Sequence, residues 1–401
     1  MLTTETTLLS DRINALSESQ TIAMAKKARE LGAKGIKVIN LSFGEPDFQT
    51  PQYIKDAAKK AIDDGYSFYT PVSGYPELRS AIAEKLQKEN GLHWKAENIV
   101  VSTGAKQSLA NALLCLVNPG DEVIIFSPYW VSYSEMVKLA EGVPVLVKGS
   151  LENGFKPSAE QLEEAITEKT KVIMYSSPCN PTGAIFTKAE LEAMAKVLEK
   201  HENIFVIADE MYEYIRFEDE FYSMGAIESM KERTVTVNGY SKGFAMTGWR
   251  IGYMAAPKWL ADACDKMQGQ VTSGTCSVTQ RAALVAYTNM EPTYEMAKAF
   301  LRRRDLIVGL LREIPGLVVP SPQGAFYVFP DVSAYFGKSD GETVINTADD
   351  LAMYILNNAH VSTVTGEAFG EPNCIRISFA ASDDNLKEAA HRIKETMAKL
   401  K

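Results

Sequence analysis

A chain of 401 residues is too long for one ordinary hydrophobic core, so its length alone predicts two domains. With 46% apolar and 23% charged residues, its composition is that of a folded globular protein and excludes a disordered, collagen-like or coiled-coil chain. The formal net charge of -9 argues against a surface built to neutralise nucleic-acid phosphates, but leaves room for a local basic pocket around one small anion.

The first sixteen residues have neither a basic leader nor a long apolar stretch, and no run of about 18 apolar residues follows, so no membrane span is expected and the chain is placed in the cytoplasm. The five cysteines (Cys115, Cys179, Cys264, Cys276 and Cys374) are odd in number and scattered, which fits free thiols in a reducing compartment. The four histidines lie far apart and form no metal motif, so acid-base chemistry is expected to rest on another residue type.

In chain order, Thr50 is predicted to cap a helix with Pro51 at its first position and Gly65 near its stop. Short apolar runs suited to buried strands occur at 98–102, 122–127, 171–176, 204–208 and 234–237. Between them, Ser158 with Gln161 and Thr187 with Glu190 read as capping boxes that open helices. Strands alternating with helices predict a parallel sheet. From about residue 291 the character changes to long amphipathic stretches at 294–313 and 384–400 around a few short strands, which reads as a smaller α+β domain.

Ligands of open α/β sheets sit beyond the carboxyl ends of the strands, so the residues just after each run are the candidates for function. After the first run come Thr103, Gly104, Ala105 and Lys106, small residues opening a helix; they make either a phosphate cradle or simply a tight turn. Trp130 offers a flat face to a planar ligand or a packing anchor. Asn180 either hydrogen-bonds a ligand oxygen or stabilises its own turn. Asp209 ends an apolar run, and a buried carboxylate needs a partner: a protonated ring nitrogen, a structural arginine or a helix N-terminus.

The stretch 238–252 is hard to explain as core. A lysine such as Lys242 is seldom buried without a reason, and one that forms a Schiff base needs apolar surroundings or nearby cations to depress its pKa. Arg250, eight residues on, is such a cation, and its planar fork also suits a phosphate.

Ser241-Lys242 followed by Gly248-Trp249-Arg250-Ile251-Gly252 resembles the cofactor-lysine motif of class I, fold type I, pyridoxal-phosphate aminotransferases. Gly44-Glu45-Pro46-Asp47, Tyr69, Gly104-Ala105-Lys106-Gln107, Pro128-Tyr129-Trp130, Asn180-Pro181-Thr182-Gly183, Asp209-Glu210-Met211-Tyr212 and Arg376-Ile377-Ser378 fall in the order that family uses, so the likeness spans essentially the whole chain. The resemblance implies a large domain with a mostly parallel seven-stranded sheet flanked by helices (49–290), a smaller α+β domain (291–401), and a segment at 1–48 that joins the smaller one.

It also implies pyridoxal 5'-phosphate as cofactor. Lys242 would hold it and carry the proton, Asp209 would pair with its ring nitrogen, Tyr212 and Asn180 would bond its phenolic oxygen, and Trp130 would stack on its face. The phosphate would lie among Gly104, Ala105, Lys106, Ser241 and Arg250, with Tyr69 reaching in from a second subunit of a homodimer. Some relatives place a phosphate-binding serine three residues before the lysine, where this chain has Gly239. Arg376 and Gly44 would grip the substrate α-carboxylate.

The likeness is greatest to prokaryotic aspartate aminotransferases, in which a lysine at the position of Lys106, aided by hydroxyls here supplied by Ser19 and Thr21, binds the distal carboxylate. The expected reaction moves the amino group of L-aspartate to 2-oxoglutarate. Aromatic, alanine or prephenate specificity is the alternative within the family, and a noncatalytic binding protein on the same fold is the alternative outside it.

Overall fold

The computed structural model describes residues 8–401 except 19, 218 and 219, without the side chains of 20–23 and 25. Its strands are β1 (Ile39–Asn40), β2 (Ile99–Ser102), β3 (Glu122–Ser127), β4 (Val143–Lys148), β5 (Thr170–Ser176) and β6 (Phe205–Asp209). They continue as β7 (Thr234–Gly239), β8 (Gly252–Ala255), β9 (Tyr327–Val328), β10 (Val361–Ser362), β11 (Val364–Thr365) and β12 (Ile375–Ser378). Seven of them form one sheet in the order β2-β8-β7-β6-β5-β3-β4, parallel except that β8 runs against both its neighbours. The expected fold type I architecture is therefore present, down to the strand number.

Side-chain alternation buries both faces of this sheet. Val172, Met174 and Ile207 point to one face, under helices Ala105–Leu116 and Lys258–Val271, while Ile173, Tyr175 and Val206 point to the other, under helix Lys188–Leu198. A separate cluster unites Met24, Ala28, Ile39 and Leu41 with residues of the last hundred, among them Phe326, Ile355 and Ile393, and β1 pairs in parallel with β10. No described helix is long and apolar enough to cross a membrane.

The five strand runs read from sequence are all strands, shifted by at most two residues at an end. Two strands of the large sheet carried too little signal: β4 lies at its edge with a half-exposed pattern, and β8 is a four-residue segment, rich in small residues, inside the lysine motif. The capping boxes of Ser158 with Gln161 and Thr187 with Glu190 form as expected. Thr50 does not cap. Pro51 takes the N-cap position without a side-chain bond, and the Thr50 hydroxyl donates instead to Ala245 O at 2.7 Å.

Gly239 has a packing reason. It pairs with Gly252 across β7 and β8, and a Cβ there would lie 2.8 Å from Gly252 Cα and 3.1 Å from Ile251 O. Backbone atoms do not yield, so the missing hydroxyl goes with a closer strand contact. Gly239→Ser is expected to lose about 1–3 kcal/mol of stability, measured as a lowered urea midpoint.

Candidate active site

The carboxyl ends of β2, β5, β6 and β7 converge on a cleft of about 320 Å³. Gly44, Ala105, Lys106, Trp130, Asn180, Asp209, Tyr212, Ser241, Lys242, Arg250 and Arg376 all line it, so the cleft gathers most of the residues singled out in the sequence.

Lys242 follows β7 on a tight turn, and its amine donates to Gly44 O. Its charge is opposed first by burial and then by Arg376 and Arg250, against the attraction of Glu45 and Asp209, which together bring its pKa down to about 8. A neutral amine is a nucleophile, so this environment brings the group closer to its reactive form at neutral pH than a lysine in water.

Asp209, the last residue of β6, is buried with Oδ2 accepting from Tyr133 Oη at 2.7 Å and Oδ1 from the Met211 N–H at 3.2 Å. Burial raises its pKa, and the Tyr133 and Met211 bonds act against that. Among the described residues no ion pair holds it, so of the three partners considered from sequence neither arginine nor a helix N-terminus is present. Tyr133 was not singled out from the sequence; its place three residues after Trp130, in the same strand-end segment, is the signal that marks it.

Arg376 on β12 is 1% exposed and sandwiched against the rings of Tyr327 and Phe369, 4.4 and 4.8 Å from their centroids. Nη1 donates to Asn180 Oδ1 at 2.9 Å and Nη2 to Ser42 O at 2.6 Å, while Nε has no partner among the described residues. A buried guanidinium satisfied only by neutral acceptors is receptive to a carboxylate. Tyr327, a second residue missed from sequence, also shares a 2.8 Å hydrogen bond with Tyr212 through their hydroxyls. No local motif marks it, because only the β9–β12 pairing brings it to the cleft.

Gly104 precedes helix Ala105–Leu116 with φ +81° and caps it with no side chain, and the first two residues of the helix, Ala105 and Lys106, line the cleft. A Cβ at Gly104 would strike the Arg250 guanidinium, and one at Gly252 would strike the Ala105 N–H. Arg250 itself turns through φ +54°, which lays its side chain along this helix start. The small residues therefore make the turn and also leave room for the Arg250 guanidinium beside the start of the helix.

Lys106 leaves that helix with its amine 4.7 Å from the Trp130 ring centroid, and burial together with Arg250 lowers its pKa. Trp130 packs edge-on against Tyr133 at 5.7 Å, so it serves as a packing anchor and a cleft wall at once.

Tyr69 lies outside the cleft of its own chain and is 96% exposed. Ser19 is outside the described residues; Thr21 lies in helix Gln20–Ala33, with its side chain outside them.

Residues 36–393 match the family described as aminotransferase class I and II. The aspartate/prephenate aminotransferase of Cereibacter sphaeroides is 49% identical over 98% of this chain and 99% of its own length. The aspartate aminotransferase of Bacillus sp. strain YM-2 is 44% identical over 96% and 98%. Among solved structures, the aspartate aminotransferase of Rhizobium meliloti superposes with a TM-score of 0.95 at 42% identity over 98% of this chain and 99% of that one. The Thermus thermophilus aspartate aminotransferase with maleate follows at 0.91 and 42%, over 97% and 99%. On full-length likeness and a shared fold, the chain belongs to the class I and II aminotransferase family.

Proposed function

We propose that this chain is a pyridoxal 5'-phosphate enzyme that moves the amino group of L-aspartate to 2-oxoglutarate. The observation that carries the reading is the meeting, in one cleft, of a buried lysine with a depressed pKa, a buried carboxylate and a buried arginine, the last two held in no ion pair among the described residues. Relatives named as aspartate aminotransferases support the substrate.

Bound there, the cofactor would supply an electrophilic aldehyde and an electron-withdrawing ring. Lys242 would hold it and then carry the proton between the substrate α-carbon and the cofactor C4' carbon. Asp209, kept in place by Tyr133 and the Met211 N–H, would hold the proton on the ring nitrogen. Asn180 Oδ1 accepts from Arg376 Nη1, so its amide N–H group is left for the phenolic oxygen, beside the Tyr212 hydroxyl. Trp130 would face the ring. The Gly104, Ala105 and Lys106 amides with Ser241 and Arg250 would hold the phosphate.

Arg376, whose Nε has no partner among the described residues, would take the α-carboxylate, near Gly44, while Nη1 keeps Asn180 in place. Lys106, unpaired with any carboxylate among the described residues, would take the distal one, with Ser19 and Thr21 beside it. The exposure of Tyr69, and of Phe68 at 84%, fits a homodimer in which Tyr69 completes the neighbouring phosphate site. The same reading places the protein in the cytoplasm, free of membrane and nucleic acid, and divides it into a large domain at 49–290 and a small one at 291–401 joined by 1–48. The packing of Met24 and Ile39 with the last hundred residues supports that division.

The test is two-substrate kinetics. L-Aspartate with 2-oxoglutarate is expected to give the parallel lines of a ping-pong mechanism and the highest kcat/KM among aspartate, alanine, phenylalanine and glutamate donors. Lys106→Ala should cost dicarboxylic donors about tenfold to hundredfold while sparing alanine. Equal losses for all donors would remove Lys106 from the distal contact. The double name of the Cereibacter sphaeroides relative favours prephenate as a further acceptor, and turnover of prephenate with aspartate decides it.

The Lys242 environment sets a pH dependence. Cofactor capture by the cofactor-free protein should accelerate as the amine loses its proton and level off above about 8. Glu45→Gln removes the largest charge that favours the ammonium, so the plateau should begin at lower pH. Stopped-flow absorbance checks both.

A further inference from the structure

Asp209 and Glu210 are successive acids at the end of β6, and the two-residue period of an extended chain sends them to opposite faces of the sheet. Asp209 faces the cleft. Glu210 is 1% exposed and points into a closed polar cluster behind it. Its Oε2 accepts from Ser223 Oγ at 2.7 Å and from Asn90 Nδ2 at 3.4 Å, and its Oε1 has no hydrogen-bond partner among the described residues. Lys85 forms a buried ion pair with Glu213 and donates to Asn90 Oδ1 at 2.7 Å, while Asn90 Nδ2 donates to Glu213 Oε2, also at 2.7 Å.

This arrangement fixes the charge state. Among the described residues the cluster holds one ammonium, that of Lys85, and it is committed to Glu213. A second buried carboxylate with no cation of its own is costly, so a proton belongs on Glu210. Oε2 already accepts two donors, which leaves Oε1 as the protonated oxygen. Glu210 is tied at its backbone as well: its N–H donates to Val237 O on β7 at 2.8 Å, and the next N–H, of Met211, holds Asp209 Oδ1.

We propose that Glu210 is a positioning residue for Asp209: a neutral carboxylic acid that pins the end of β6 from behind the sheet and, when it ionises, changes the charge felt at the cleft. The proposal rests on the reading of Asp209 as partner of the cofactor ring nitrogen. Burial is the main cause that pushes the Glu210 acid up to about 8; Glu213 and Asp209 push the same way, and Ser223 and Lys85 oppose them. Glu89 stands at the rim, 3.8 Å from Lys85, and Tyr175 and Tyr253 face the cluster as phenols kept neutral by burial. Below that pH the group is uncharged. Above it, a new negative charge next to Asp209 favours protonation of Asp209 and of cations in the cleft, Lys242 included.

The test begins on the full chain without cofactor, by infrared difference spectroscopy across a pH titration. The expected result is a protonated-carboxyl carbonyl band at neutral pH that disappears with a midpoint of about 8 and is absent from Glu210→Gln. A spectrum identical in the two proteins, or a band that vanishes in Glu213→Gln instead, overturns the neutral Glu210. Ser223→Ala keeps the proposal testable if Glu210→Gln does not fold. It removes a donor that favours the anion, so the midpoint should rise by about half to one pH unit, and an unmoved midpoint counts against the assignment. In protein loaded with pyridoxal 5'-phosphate, the visible absorbance should carry an inflection at that same pH, lost in Glu210→Gln. If the infrared band titrates but the visible spectrum does not follow, the link to Asp209 is overturned. If the cofactor does not bind at all, the proposed function fails while the infrared result still decides Glu210.

Discussion

The Lys242 amine occupies a place where burial and two guanidinium groups, Arg376 and Arg250, oppose its charge, while Glu45 and Asp209 favour it from a distance. A lysine in water holds its proton to well above neutral pH. Here the balance is moved to about 8, so a modest change in surroundings decides whether the group is an ammonium or a nucleophile. The strand-end position of the residue, the glycines that let β7 and β8 close behind it and the cations around it all serve that balance.

The cleft is unbalanced in charge. Among the described residues, Lys106, Lys242, Arg250 and Arg376 line it together with one acid, Asp209. Arg376 is the extreme case, a buried guanidinium kept by two neutral oxygens and two aromatic faces. Such a site is stable enough to fold, yet an anion would satisfy it better, and the excess of cations suits a phosphate and two carboxylates together. On the opposite side of the sheet the imbalance is reversed, with Glu210, Glu213 and Glu89 around Lys85. β6 separates the two regions, and Asp209 and Glu210 are where they meet.

Much of this was legible in the sequence because the informative residues are local. The run 238–252 holds Lys242 and Arg250, and the apolar runs mark most of the strands that present the site. What stayed hidden depends on distant pairing. Tyr327 reaches Tyr212 and Arg376 only through the β9–β12 ladder, and Asn180 meets Arg376 across 196 residues. β4 and β8 were missed because an edge strand and a short strand of small residues lack the apolar run that identifies a buried one. Thr50 looked like a cap by its neighbours in sequence, but a carbonyl far along the chain, that of Ala245, claimed its hydroxyl. Gly239, where some relatives place a phosphate-binding serine, has a packing reason that only the pairing of β7 with β8 reveals.

The proposed chemistry requires one amine, that of Lys242, as the point of attachment. Borohydride reduction of protein loaded with pyridoxal 5'-phosphate, followed by peptide mass spectrometry, measures that directly. A single pyridoxyl group on the peptide containing Lys242 is the expected result. A label on any other lysine, or no stable label on a protein that remains active, would contradict it.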